Sequence, residues 1–192
     1  MITVYIRKIE EINNETEQKL ISSLSSDARA HFDKKKNEAL RTASLCALSL
    51  IPQEMISDIH YTESGRPYFQ TLDADISISH SSSYSAVAIS SSRELTIGVD
   101  VEDTDSAINA QKCSRFFSEN EIAEIQNGIS PIEIWTKKEA LFKHLKNDSL
   151  VFFTLDTTVS NCHFNTKFLD GAIITLCTEK DENIDIIDKT KP

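Results

Sequence analysis

The sequence contains few of the residues from which several common functional motifs are built. With 4 glycines in 192 residues, it has neither a phosphate-binding P-loop nor the glycine-rich loop of dinucleotide-binding proteins. It has no Gly-x-Ser-x-Gly motif, which argues against an α/β-hydrolase nucleophile. Its 4 cysteines form no Cys-x-x-Cys pair and have no histidines at zinc-finger spacing, so the sequence predicts no zinc module.

The sequence also lacks the signals of secreted and membrane proteins. Residues 1–6 show no basic segment followed by a long apolar run, so we expect no secretory signal peptide. No apolar stretch reaches the length of a transmembrane helix. Without a signal peptide, a chain of this length is not expected to depend on a disulfide framework. We therefore expect a cytoplasmic protein with reduced cysteines and no membrane partner.

Basic side chains are outnumbered by acidic ones. Lysine and arginine number 20 against 30 aspartates and glutamates, which gives a formal net charge of −10. This balance argues against nucleic-acid binding, which depends on neutralising phosphates. Hydrophobic residues make up 40% of the chain, as is ordinary for a soluble globular protein. The length allows one large domain or two small packed halves.

The hydrophobic pattern predicts helices followed by antiparallel strands, twice along the chain. The predicted helices cover residues 15–24, 34–50 and 131–145, and another opens at Ser118 with a capping box completed by Glu121. The predicted strands cover residues 2–9, 74–79, 85–90, 95–102, 150–153, 163–168 and 172–178. This order predicts the fold class α+β, with halves over residues 1–95 and 96–192. The mostly charged residues 179–192 are expected to form a frayed tail.

Two carboxylates alternate with valines in the apolar segment 97–102. On a strand, Asp100 and Glu102 point to one face and Val101 points to the other. Alternating acids often mark only the solvent face of an edge strand. Here the rest of the segment is apolar and contains Gly98, which lets a ligand or another backbone come close. The pair therefore favours a cation site, although it is weak evidence by itself.

A third carboxylate lies in the predicted helix 131–145. Glu139 and Lys143 are four residues apart and so share a helix face, as in many surface ion pairs. Trp135 and Phe142 make the same helix strongly apolar, which suggests that Glu139 is half-buried. Burial of a carboxylate without a cation raises its pKa and costs stability. If the strand and the helix pack together, three carboxylates and a lysine converge in a form that suits Mg²⁺ and phosphate groups.

Several basic side chains could serve a phosphate group. His80 ends a predicted strand among serines, where it is accessible, although a single histidine is more often structural. Arg41 and Arg66 each stand beside a structural marker, and arginine suits phosphate through its planar fork. Residues 34–36, all lysines, are expected to form a solvated face.

In this order, the motifs resemble the 4′-phosphopantetheinyl transferase superfamily. The matching segments are Arg41-Thr42, Gly65-Arg66-Pro67, residues 78–81, residues 97–102, Arg115 to Ser118 with Glu121, and residues 135–140 with Lys143. The length and the two-part outline are similar to the surfactin-type subfamily, whose members act as monomers built from two similar α+β halves with pseudo-twofold symmetry. The resemblance implies transfer of the phosphopantetheine arm of coenzyme A to a serine of an apo acyl or peptidyl carrier protein.

The resemblance also implies roles for individual residues. Asp100, Glu102 and Glu139 would hold Mg²⁺, or Mn²⁺ in its place. Glu139 would take the proton of the carrier serine, directly or through water. Lys143 would offset charge on the leaving diphosphate. The coenzyme A phosphates and neighbouring groups would be bound by Lys143, His80, Arg41, Arg66, Thr42 and Ser79.

Two other functions remain compatible with these residues. A non-catalytic relative would bind carrier proteins or coenzyme A without transferring anything. A metal-dependent phosphodiesterase would use the same carboxylates to release phosphopantetheine to water. The identity of the carrier, whether from fatty-acid, polyketide or nonribosomal-peptide synthesis, is left open by the sequence.

Overall fold

The computed structural model describes residues 1–10, 12–105, 114–147 and 149–189 as a mixed α+β protein, which confirms the predicted fold class. The strands are β1 (Ile2–Lys8), β2 (Ile59–Tyr61), β3 (Pro67–Phe69), β4 (Ile76–His80), β5 (Tyr84–Ser90), β6 (Ile97–Asp103), β7 (His163–Leu169), β8 (Ala172–Thr178) and β9 (Ile184–Asp188). The helices are α1 (Asn14–Ser23), α2 (Ser26–Asp33), α3 (Glu38–Leu48), α4 (Glu119–Gln126) and α5 (Pro131–Leu145). No described helix is long and apolar enough to cross a membrane.

The strands form two main sheets with a core on each side of the first. Their orders are β4-β5-β1-β9 and β6-β8-β7, and β2 and β3 form a separate hairpin. Alternate residues of β1 point to opposite faces, so Ile2, Val4 and Ile6 are buried between the two sheets. Tyr5 packs on the other face, in the core formed with α1, α2 and α3. Burial on both faces accounts for the apolar character of the central strands.

Strands β4 and β6 lie side by side although they belong to different sheets. Polar side chains on and next to β4 accept hydrogen bonds from the backbone of β6. The three bonds run from the Ile97, Val99 and Val101 amides to Asp75, Ser77 and Ser79 respectively. These side chains replace a backbone ladder and fix the register of β6 against β4, and so the position of Asp100.

Three local predictions were wrong. The predicted helix 34–50 begins only at Glu38, because Asn37 caps it with a hydrogen bond to the Leu40 amide. Residues 150–153 are not a strand, since Phe152 to Thr154 form a 3-10 turn in which the Phe152 ring packs on aromatic rings of α5. The expected frayed tail is wrong for residues 184–188, which form β9.

Strand β9 pairs in parallel with β1 and brings the end of the described chain into the first sheet. Ile184 and Ile186 pack against the core between the sheets, which accounts for the order of an otherwise charged segment. The division of the chain at residue 95 and the pseudo-twofold relation between its halves stay predictions.

Candidate active site

Helix α5 lies directly on strand β6 because Gly98 has no side chain. A Cβ atom at this position would stand 2.0 Å from the Ala140 carbonyl oxygen and 2.5 Å from the His144 amide nitrogen. Both are backbone atoms of α5, so they cannot move aside without moving the helix. The close approach brings the face of α5 that carries Glu139 and Lys143 to the face of β6 that carries Asp100.

We expect Gly98→Ala to lower the free energy of unfolding by about 3 kcal/mol or more, because the added carbon overlaps a helix backbone. Chemical denaturation measures this loss. The matched control is Gly128→Ala, where no atom lies within 4 Å of the added carbon and only a φ of 102° opposes alanine. Its cost is expected to be about 1 kcal/mol. Equal losses in the two variants would contradict the close packing of α5 on β6.

Asp100 stands at the centre of the site and makes its hydrogen bonds through one oxygen. Its Oδ1 accepts from the Ser79 hydroxyl at 2.7 Å and from the Lys143 ammonium at 2.7 Å. Lys143 also donates to Ser79 at 2.8 Å and to the Val99 carbonyl at 3.1 Å. The other oxygen of Asp100, Oδ2, is buried and has no hydrogen-bond partner among the residues that the structure describes. A buried carboxylate oxygen in this state is costly unless a cation completes it.

The two other carboxylates lie close enough to Asp100 for their charges to interact. Burial, the Asp100 charge and the weaker effect of Glu139 raise the pKa of Glu102 to about 7, against the opposing effect of a hydrogen bond with Trp135. Burial and the Asp100 charge also raise the pKa of Glu139, whereas Lys143 opposes the shift. Both shifts show that negative charge at this point is under-compensated by the protein alone.

The charges of the three acids interact, whereas their convergence on one metal ion stays a prediction. Among the described residues, Asp100, Glu102 and Glu139 do not form a set whose ligand oxygens all lie within 4.8 Å of one another. Like charges repel, and the ammonium of Lys143 occupies the Asp100 oxygen that it neutralises. A divalent cation would supply the charge that allows the three to close in.

Three clefts that differ in the charge of their walls adjoin the carboxylates. The largest of the three has a volume of about 760 Å³ and is lined by Thr42, by His80 and by three glutamates, one of which is Glu102. A smaller one of about 200 Å³ shares His80 and adds His31 and Lys35. The carboxylate and imidazole groups thus face connected space, in which a ligand could contact both.

A third cleft, of about 290 Å³, is lined by Arg66 and Lys143 and shares Gly65 and Pro67 with the smaller one. The guanidinium of Arg66 donates a hydrogen bond to the Lys143 carbonyl, and this bond ties the residue-65 turn to the end of α5. The three clefts together follow β4 from Lys143 past His80 to Glu102.

Burial, and for the two histidines also nearby lysine charges, lowers the proton affinity of the basic groups around the clefts. The pKa of His80 is lowered by burial first and then by the charges of Lys35 and Lys143. Burial lowers the pKa of Lys35 as well, and burial together with Lys35 lowers the pKa of His31. A phosphate bound among these groups would relieve the repulsion and restore their protonated forms.

Arg41, Thr42 and Ser79, three of the predicted coenzyme-binding residues, differ in their positions relative to the clefts. Arg41 contacts Glu17 at 3.2 Å and lies 4.2 Å from the centre of the Phe32 ring, and it is not in the lining of the three clefts among the described residues. Thr42 lies in the wall of the largest cleft. Ser79 lies beneath Asp100, where it orients that carboxylate.

Sequence reasoning missed His31 and Lys35. The prediction that residues 34–36 are all solvated is wrong for Lys35, whose side chain is half-buried and lines a cleft. His31 lies four residues before Lys35, and its ring stacks on that of Tyr61 with ring centres 4.0 Å apart. His31 is in the last turn of α2 and Lys35 directly follows its C-cap residue, so the spacing of four was a usable signal that the interpretation of the lysine run as a surface obscured.

A buried ion pair joins α5 to α4. Lys138 and Glu121 are both fully buried and are joined at 2.6 Å. Glu121 also caps α4 by accepting from the Ser118 amide at 2.8 Å, which confirms the predicted capping box, and its other oxygen accepts from the amide and the hydroxyl of Thr157. The pair therefore connects α4, α5 and the segment before β7.

With this geometry in place, comparison with known families is informative. Residues 96–185 match the family model of the 4′-phosphopantetheinyl transferase superfamily. The match includes β6 and α5, and so Asp100, Glu102, Glu139 and Lys143. Residues 1–95, which supply His80 and the other cleft residues, lie outside it. The comparison with curated proteins gave no match. The finding supports the superfamily resemblance in the second half of the chain, whereas the surfactin-type subfamily stays a prediction.

Proposed function

We propose that the protein transfers the phosphopantetheine arm of coenzyme A to a serine of an apo acyl or peptidyl carrier protein, with Mg²⁺ as its metal. The family match supports phosphopantetheinyl transfer in general. The observation that carries the proposal is the buried Oδ2 of Asp100, which lacks a partner beside two further carboxylates and a cationic cleft. This arrangement has acid ligands on one side and cations on the other, as a metal-bridged diphosphate requires.

The residues present fit a hard divalent cation. Asp100, Glu102 and Glu139 would hold Mg²⁺ through oxygens, and Mn²⁺ accepts the same ligands. When bound, the cation would neutralise the diphosphate and the charge that develops during transfer. Asp100 offers its unpartnered oxygen for this purpose while Ser79 and Lys143 keep the other oxygen in place.

The transfer reaction assigns the remaining work to two residues of α5. The oxygen of the carrier serine bonds to the phosphorus that bears the pantetheine arm, and the bond from that phosphorus to the leaving adenosine 3′,5′-bisphosphate breaks. Glu139 takes the serine proton, for which its raised pKa is suited. Lys143 offsets negative charge on the departing phosphate, since its ammonium already lies at the carboxylates and in the wall of a cleft.

The clefts along β4 would hold the coenzyme. His80 and Lys35 are placed to bind phosphate oxygens, and Arg66 is placed near Lys143 for a neighbouring group. Thr42 would contribute a hydroxyl. Arg41 would need to leave Glu17 to reach the same ligand, so it is the weakest member of the predicted set.

The test is an intact-mass measurement of apo carrier proteins after incubation with the enzyme, coenzyme A and Mg²⁺. At least one carrier from the same organism is expected to gain the mass of the phosphopantetheine arm, and a chelator is expected to prevent this. Release of free phosphopantetheine without any carrier would instead identify a phosphodiesterase. Binding of coenzyme A that is independent of Mg²⁺, with no transfer, would identify a non-catalytic relative.

Metal binding is expected to stabilise the fold more at about pH 8 than at about pH 5.5. Without metal, the raised pKa of Glu102 means that the unfolded chain loses this proton before the folded chain does, so stability falls as pH rises from 4.5 to about 7. A divalent cation favours the ionised carboxylate and offsets this loss. Thermal unfolding with Mg²⁺ and with a chelator measures the difference, and Glu102→Gln should reduce the pH dependence of the Mg²⁺ effect, of which Glu139 would keep a part. An equal Mg²⁺ effect at both pH values would contradict the assignment of Glu102.

A further inference from the structure

A second cluster of metal-ligating side chains lies at the last turn of α5. His144, Cys162 and Cys177 each offer one ligand atom, and these three atoms all lie within 4.8 Å of one another. In the part of the chain that the structure describes, no other group of three or more His, Cys, Asp or Glu side chains meets this distance. The cluster has no role in the transfer chemistry above.

The fold places both cysteines at one face of the second sheet. Cys177 in β8 pairs with Phe164 in β7, and Cys162 directly precedes β7, with its sulfur within 4.8 Å of the Cys177 sulfur. Helix α5 covers this face, where Ala140 and Leu141 join the cysteines in one apolar cluster. The site is therefore formed by helix and sheet together, across a long sequence separation.

The Thr96 backbone lies beside one ring nitrogen of His144. Its Nδ1 lies 3.2 Å from the Thr96 carbonyl oxygen, which can only accept a hydrogen bond. The proton therefore belongs on Nδ1, and the lone pair belongs on Nε2. A backbone carbonyl that fixes the tautomer in this way is a common outer partner of a ligating imidazole.

A carboxylate lies near these three side chains, although outside the group whose ligand atoms are all within 4.8 Å of one another. Glu179 follows Cys177 by two residues, and its charge acts on both His144 and Cys162. Burial lowers the pKa of His144 and Glu179 opposes that shift, whereas burial and Glu179 both raise the pKa of Cys162. Glu179 is exposed and Cys162 is half-buried, so a cation could enter from that side.

We propose that His144, Cys162 and Cys177 form a binding site for a soft divalent cation such as Zn²⁺, separate from the carboxylate site. Two sulfurs and an imidazole nitrogen are soft ligands that select Zn²⁺ over Mg²⁺. Glu179 is the side chain available to complete a tetrahedral set. On binding, both thiols lose their protons to solvent and two sulfur–metal bonds form without any redox change.

The cation would join the end of α5 to β7 and β8. His144 follows Lys143 directly, Cys177 belongs to the sheet beneath the helix, and Cys162 lies directly before β7. Fixing this turn would restrict the position of Lys143 relative to Asp100. The site is thus a structural clamp beside the transfer chemistry, and its occupancy does not depend on the proposed function.

Co²⁺ is the probe for the test, because a cobalt–thiolate bond gives a strong charge-transfer absorption that carboxylate ligands do not give. The full-length reduced protein is expected to bind one equivalent of Co²⁺ with this absorption. Zn²⁺ should displace it, and a large excess of Mg²⁺ should not. Cys162→Ser and His144→Gln should each weaken Co²⁺ binding by about 100-fold or more. Cys46→Ser, a buried cysteine elsewhere in the fold, should leave it unchanged.

Three results would overturn the proposal. One is the absence of thiolate absorption in the reduced wild-type protein. Another is the same absorption in Cys162→Ser, with circular dichroism showing that this variant is folded. The third is a Cys162–Cys177 disulfide in protein purified without reductant, found by peptide mass and still formed when Zn²⁺ is supplied, since a disulfide cannot ligate the cation.

Discussion

Asp100→Asn is expected to reduce phosphopantetheine transfer by about three orders of magnitude, the range found when one preorganised electrostatic contact is removed from an active site. Asparagine keeps an oxygen for the Ser79 and Lys143 hydrogen bonds, so the fold should be retained. It removes the charge and the unpartnered oxygen that the metal would use. Initial rates, followed by the mass of the carrier protein, measure the loss.

Asp105→Asn is the matched control, because this aspartate follows the same strand and is exposed to solvent. It should transfer at the wild-type rate. Thermal unfolding separates chemistry from structure: Asp100→Asn should remain folded and should no longer be stabilised by Mg²⁺. Near-normal transfer by Asp100→Asn would remove this residue from the metal site.

Lys138→Met is expected to lower the free energy of unfolding by about 3–5 kcal/mol, the usual cost of leaving one member of a buried ion pair without its partner. Methionine fills most of the volume, but the Glu121 charge then stays buried with only neutral donors from Ser118 and Thr157. Urea unfolding followed by circular dichroism measures the effect.

The neighbouring pair provides the control for Lys138→Met. Lys137 and Glu133 are joined at 2.7 Å on the same helix, but both remain about one-fifth exposed. Lys137→Met should therefore cost less than about 1 kcal/mol. Adding Glu121→Gln to Lys138→Met should recover part of the loss, because it removes the buried charge. Equal losses in the free energy of unfolding for Lys138→Met and Lys137→Met would show that burial does not determine how much each ion pair contributes to stability.

The carboxylate part of the site was predictable because its signals are local. The period of two along β6 places Asp100 and Glu102 on one face, and the spacing of four along α5 places Glu139 with Lys143. The helix bounds of α5 follow from Pro131 at its start. What the sequence could not give is how closely α5 approaches β6, since this depends on which backbone atoms meet Gly98.

The basic part of the site was predicted less well because it depends on contacts between distant segments. Lys35 belongs to a run of lysines that is typical of a surface, yet the fold turns it toward His80. Arg41 has a suitable sequence neighbourhood, yet Glu17 and Phe32 hold its guanidinium away from the clefts. Neither set of contacts can be predicted from the residues next to Lys35 or Arg41 in the sequence.

Two further features were missed for the same reason. Strand β9 carries enough charge to be taken for a frayed tail, and only its pairing with β1 explains its order. Histidines and cysteines were compared with zinc-finger spacing, whereas the cluster at His144 combines a helix, strand β8 and the residue before β7. A spacing rule describes sites on one short segment and does not apply to sites that tertiary packing assembles.

The most direct test of the site is the anomalous scattering of Mn²⁺ in crystals grown with coenzyme A. We expect one strong peak at the coenzyme diphosphate, within bonding distance of Asp100, Glu102 and Glu139, with Lys143 on the phosphate side. A peak bonded to the diphosphate alone, or a structure with Glu139 turned away from the ion, would contradict a shared carboxylate metal site.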